Sequence, residues 1–163
     1  SYYQQGLDFF RNWDGFPGCE IIAAEEHFEI PIDDWILNGF IDLSYKDASG
    51  RNLILDYKSK KDFKKDELKE YARQPYLYSL FYKEKYGCFP DVLQFYTFRS
   101  NKIVEVPFKM EELEEALAWA RDTVQQIRNE WSYERNPDQF FCCNLCNHRL
   151  KCECGKFFWW MKK

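Results

Sequence analysis

The chain has 163 residues, 45% of them hydrophobic and 20% aromatic, which argues against an intrinsically disordered segment and suffices for one domain with a sizeable core. No apolar run approaches the ~20 residues of a membrane-spanning helix. A formal net charge of −4 argues against a nucleic-acid binder that works by bulk attraction, and no G-x-x-x-x-G-K-S/T phosphate loop points to an ATP-driven motor.

In chain order, Tyr2 to Trp13 reads as a helix and Cys19 to Pro31 as a strand. Residues 35–45 and 52–58 read as a hairpin around the polar turn Lys46-Asp47-Ala48-Ser49-Gly50. Asp66 to Tyr86 reads as a long helix with a kink expected at Pro75, which has no N–H to give to Tyr71. Val92 to Phe98 and Ile103 to Phe108 alternate as strands joined through Ser100-Asn101. Leu113, Leu117, Ala120, Val124, Ile127 and Trp131 then recur at three- and four-residue spacing, an apolar helical stripe expected to be core. Glu111, Glu112, Glu114 and Glu115 occupy the favourable N-terminal end of that helix.

Chemistry concentrates in the hairpin. Period-two alternation places Leu37, Ile41 and Leu43 on one face of the first strand, with Asn38, Phe40, Asp42 and Ser44 on the other. In the return strand Asp56 and Lys58 share a face. Antiparallel pairing would bring Asp42 and Asp56 close enough to hold one hard divalent cation, for which Mg²⁺ or Mn²⁺ suits oxygen ligands better than zinc does. Such an ion polarises a phosphoryl oxygen and acidifies its bound water, while a neighbouring ammonium offsets developing charge. An Asp at a strand end and a Lys two residues on are more often solvated surface than catalysts, so the wider pattern has to decide.

Four motifs in order supply it: Glu25-Glu26-His27-Phe28, Gly39-Phe40-Ile41-Asp42, Asp56-Tyr57-Lys58 and Gln74-Pro75-Tyr76-Leu77-Tyr78. Together they resemble the E-x-x-F, G-x-x-D, D-x-K and Q-x-x-x-Y elements of the RecB-like branch of the PD-(D/E)xK nuclease superfamily, which includes phage and bacterial exonucleases. The resemblance implies an α/β, restriction-endonuclease-like core, a central mixed β-sheet flanked by helices. It implies Glu25, Asp42, Asp56, Lys58, Gln74 and Tyr78 as site residues, with Asp42, Asp56 and the Tyr57 carbonyl as ligands of Mg²⁺ or Mn²⁺. The implied activity is metal-dependent hydrolysis of DNA phosphodiesters, as an exonuclease or end-processing enzyme, in the cytoplasm and with a recombination or helicase partner. The alternatives are a non-catalytic DNA-binding scaffold of the same fold and a nuclease acting on RNA.

Cys143, Cys146 and Cys152 form a C-x2-C-x5-C series, similar to the trio that closes iron–sulfur-bearing members of this branch. Clustered thiolates suit a 4Fe–4S cluster or, with Cys142, Cys154 or His148, a zinc knuckle; buried thiols without metal are the third reading. Disulfides are disfavoured by the odd count of seven cysteines. Relatives in this branch also carry a ligand His and a fourth Cys upstream, whereas this chain offers only His27, inside the first strand, and Cys19. The expectation is therefore one nuclease domain over residues 1–163 that lacks its N-terminal part, with a cysteine-rich loop at 142–154. Residues 58–73 carry seven basic groups against four acidic ones, and residues 143–163 five against one. These basic stretches suit either phosphate contact or simple solvation of a helix face. The tail Phe157-Phe158-Trp159-Trp160 is expected to pack on the cysteine loop.

Overall fold

A computed structural model describes residues 2–12, 15–132, 145–148 and 151. The chain forms two compact units, Ser1–Thr123 and Val124–Lys163. The first holds α1 (Tyr2–Asn12), β1 (Glu20–Ile32), β2 (Trp35–Lys46), β3 (Asn52–Lys58), α2 (Lys65–Tyr86), β4 (Val92–Thr97), β5 (Lys102–Pro107) and most of α3 (Met110–Asn129). The five strands form one sheet in sequence order. All neighbours are antiparallel except β3 and β4, which run parallel because α2 carries the chain back between them. This is the mixed sheet flanked by helices that the sequence leads one to expect.

The central strands β3 and β4 are buried on both faces. One face packs Phe28, Ile41, Ile54 and Phe95 beneath Tyr76, Leu77 and Tyr82 of α2. The other packs Leu43, Tyr45, Leu53 and Leu55 against Phe9 of α1 and Phe16. The β2–β3 turn is held by Asp47, whose Oδ1 accepts from the Ser49 and Arg51 backbone N–H groups at 2.9 Å each. α2 begins where Glu67 reaches back to the Lys64 N–H at 3.3 Å and takes Lys60 Nζ at 2.7 Å. It ends at Gly87, whose φ of 80° sets the left-handed cap, and it runs through Pro75 without ending there.

Two sequence expectations need correction. The apolar stripe of α3 is core at Leu113 and Ala120, joined by Ala116, but Ile127 and Trp131 are 69% and 86% exposed. Periodicity marks an apolar face; only tertiary structure decides what covers it. Second, β2 does not alternate regularly. Ile41 packs on the α2 face and Leu43, two residues on, on the opposite one, so the strand changes face at Asp42. Ser44, expected to be turned outward, is fully buried as a result. In the second unit, Ser132 donates to Glu130 through its N–H at 2.8 Å and its hydroxyl at 2.6 Å. Cys142, Cys143, Cys152, Cys154 and the tail 157–160 lie outside the described residues.

Candidate active site

The face change at Asp42 creates the geometry of the site. Directly across the β1–β2 ladder, Glu25 falls between the pairs Ala24↔Leu43 and Glu26↔Ile41 and has a left-handed φ of 50°. On the other side, the β2–β3 ladder runs from Lys46↔Asn52 to Leu43↔Leu55 and stops. The next residues on the two strands are Asp42 and Asp56. There the Tyr57 N–H donates to Asp42 Oδ2 at 2.7 Å, so a carboxylate stands where a ladder carbonyl would otherwise be.

Asp56 is 5% exposed, and its Oδ2 meets Lys58 Nζ at 2.7 Å as an ion pair. Among the described residues that oxygen receives no well-directed hydrogen bond. Burial holds the Asp56 carboxyl above the usual carboxylate range; Lys58 opposes the shift and the nearby Asp42 charge adds to it. Lys58 Nζ also donates to Gln74 Oε1 at 3.3 Å, and Gln74 Nε2 donates to the Tyr78 hydroxyl. Burial pushes the Tyr78 phenol up, Gln74 lowers it, and Asp56 and Asp42 raise it further. The Tyr57 phenol is likewise raised, first by burial and then by Asp42, Tyr96 and Glu25. Asp56, Lys58, Gln74 and Tyr78 thus form one connected group, with Asp42 beside it on the Tyr57 N–H and Glu25 within electrostatic reach of Tyr57.

The motif glycine has a packing reason. Gly39 lies opposite Phe28, and a Cβ there would meet the Phe28 ring at 3.1 Å and Tyr78 at 3.5 Å. Tyr78 itself packs edge-on to Phe28, with ring centres 5.0 Å apart. The spacing of Phe28, Gly39 and Tyr78 therefore places the tyrosine over β2.

The donor set fits a hard divalent cation. Asp42, Asp56 and a backbone carbonyl would offer hard oxygen donors, and among the described residues the buried Asp56 oxygen has Lys58 as its one charged partner. No group of three or more His, Cys, Asp or Glu side chains gathers among the described residues, so water and a substrate oxygen would complete the shell, as Mg²⁺ sites commonly allow. His27 is engaged elsewhere: its Nε2 lies 3.3 Å from Asn38 Oδ1, and its ring is tilted by 46° to that of Phe40 with centres 4.9 Å apart.

A sequence model of the PD-(D/E)XK nuclease superfamily matches residues 8–153. The chain belongs to this superfamily. No curated protein matches the chain. Among solved structures, that titled "Crystal structure of SSO0001" is similar at a TM-score of 0.47 and 16% identity, over 93% of this chain and 68% of that one.

Around the superfamily site, two features escape the motifs. Much of the positive charge of residues 58–73 is paired internally: Lys60 with Glu67 at 2.7 Å, and Lys69 with Glu115 at 2.6 Å and Glu112 at 3.6 Å. A groove of about 410 Å³ also opens beside Gln74 and Tyr78, walled by Asn38, Glu70, Arg73 and Trp119. Its signals in sequence are weak: Arg73 beside the motif glutamine, and Trp119 among the other apolar residues of α3.

Proposed function

We propose that the chain is a Mg²⁺- or Mn²⁺-dependent DNA nuclease of the RecB-like branch that works from DNA ends. The observation carrying this reading is the connected group of Asp56, Lys58, Gln74 and Tyr78 around a buried, under-bonded carboxylate oxygen, with Asp42 on the Tyr57 N–H beside it. Asp42, Asp56 and the Tyr57 carbonyl would hold the cation. Bound there, it would supply electrophilic polarisation of a phosphoryl oxygen and a more acidic water. Lys58 places a positive charge where the scissile phosphate gains negative charge. Gln74 holds the ammonium in position through its carbonyl, and Tyr78 fixes Gln74 through its amide. Glu25, opposite Asp42, acts through an intervening water.

The C-terminal thiols of Cys143, Cys146 and Cys152 are soft donors that suit a 4Fe–4S cluster or zinc, stapling that end of a single nuclease domain. Iron and sulfide in protein purified without oxygen support the cluster, and one equivalent of zinc supports the knuckle. A cytoplasmic enzyme feeding a recombination or helicase partner fits an end-processing nuclease. Among the described residues no helix is long and apolar enough to cross a membrane.

End-labelled linear DNA and closed circular DNA, incubated with Mg²⁺, Mn²⁺ or EDTA, test the reading. Metal-dependent release of label from linear DNA, with circular DNA intact, is the expected result. Cleavage of circles redirects it to an endonuclease, and no metal-dependent cleavage of either overturns it.

A further inference from the structure

We propose that the groove beside Gln74 and Tyr78 is a subsite for one unpaired nucleotide of a DNA strand, with its base stacked on Trp119 and its phosphate held by Arg73. The proposal rests on the nuclease reading above and names the part of the substrate that this surface grips. Trp119 is 43% exposed, a large aromatic left open at the rim of a concave site. The Arg73 guanidinium lies 5.0 Å from the centre of its ring, and among the described residues Arg73 forms no ion pair with a carboxylate. A cation without a carboxylate partner, held against an open indole, presents both things a single strand requires: a counter-charge for phosphate and a flat face for a base. A base inside a duplex has no free face to offer, so away from the terminal pair the site selects an unpaired nucleotide.

The position of the groove ties it to the chemistry. Gln74 lines it and also accepts the Lys58 hydrogen bond, while Tyr78, one turn further along α2, lines it too. A strand lying in the groove therefore passes from Arg73 over Gln74 toward Asp56 and Lys58. The volume of about 410 Å³ is within the range of sites for small organic groups. Glu70, on the same wall, repels phosphate and so leaves the Arg73 end as the place for it.

Binding of a short fluorescein-labelled oligodeoxythymidylate in EDTA, followed by anisotropy, tests the subsite without requiring catalysis. Cleavage of the same strand with Mn²⁺ is measured alongside. Trp119→Ala should weaken binding roughly tenfold or more, the effect of losing one base–aromatic stack, and Trp119→Phe should restore most of it. Arg73→Gln should flatten the salt dependence of binding by about 0.7 in the log–log slope, the loss of one phosphate contact on a single strand. Circular dichroism checks the fold of each variant, and Arg73→Gln and Trp119→Phe decide the matter if truncation disturbs α3. Equal binding by wild type and Trp119→Ala, or no binding by wild type, overturns the subsite. Wild-type protein that binds through Trp119 but never cuts keeps the subsite and removes the catalytic reading; protein that cuts yet ignores Trp119 does the reverse.

Discussion

Asp56 is the residue on which the account turns, because burial disfavours its charged form even with Lys58 beside it. Burial raises its pKa above the ordinary value of 3.8. A raised carboxyl contributes most to stability below that unfolded value, and the contribution is lost as pH rises through the folded pKa. In EDTA, therefore, stability should fall more steeply in wild type than in Asp56→Asn as pH rises above that ordinary value, as read from denaturant midpoints. Mn²⁺ should reverse the penalty. At about 100 times its dissociation constant, a ligand specific to the folded state adds about 2.7 kcal/mol, and this gain should vanish in Asp56→Asn. A wild-type melting temperature indifferent to Mn²⁺ would speak against a cation at this carboxylate.

At the scale of elements, two adjacent glutamates in β1 divide the work between site and scaffold. Glu26 accepts from Lys85 and from the Tyr86 hydroxyl, the latter at 3.0 Å to each oxygen, tying β1 to the end of α2. Glu26→Ala should cost stability, about 1–3 kcal/mol for lost hydrogen bonds to a charged group, and leave turnover per folded molecule unchanged. Glu25→Gly should do the opposite: it relieves a left-handed backbone, gaining about 1 kcal/mol, while removing the carboxylate opposite Asp42 and lowering turnover. Urea titrations paired with initial rates separate the two. Gly39→Ala should press on Phe28 and Tyr78 and cost about 1–3 kcal/mol by overpacking, with a fall in turnover if Tyr78 moves off Gln74.

The strands and helices themselves were legible in the sequence because each has strong local periodicity and clear punctuation, such as Asp47 to Gly50 and Gly87. The reversal of β2 at Asp42 was not, since it depends on how Glu25 and Asp42 cross between two cores. Of the candidate site, order and spacing of motifs pointed to Asp42, Asp56, Lys58, Gln74 and Tyr78; β2 and β3 carry the first three, and α2 sets Gln74 and Tyr78 beside Lys58. Arg73 and Trp119 had no such signal, because α2 and α3 meet around the groove only in three dimensions.

On the scale of the whole molecule, a chain with net charge −4 must engage a polyanion through local features rather than overall field. The internal pairing of Lys60 and Lys69 reinforces this: cleavage should depend on the site and groove far more than on the lysine-rich stretch. Exchanging Lys61 and Lys64, both exposed, for Gln should accordingly change the salt dependence of DNA binding by at most one contact each and leave the maximal rate of cleavage unchanged. A collapse in maximal rate would move the catalytic burden to that stretch.

The most direct measurement compares wild type with Lys58→Ala and Asp42→Asn for single-turnover cleavage of end-labelled DNA in Mn²⁺. Wild type should cut, and EDTA should stop it. Lys58→Ala should lose about 100-fold or more of the rate, the usual cost of deleting a group that stabilises transition-state charge, and Asp42→Asn should lose most of its response to Mn²⁺. Cleavage by Lys58→Ala at the wild-type rate would contradict the account, since Lys58 is the cation that this fold sets against Asp56 and Gln74.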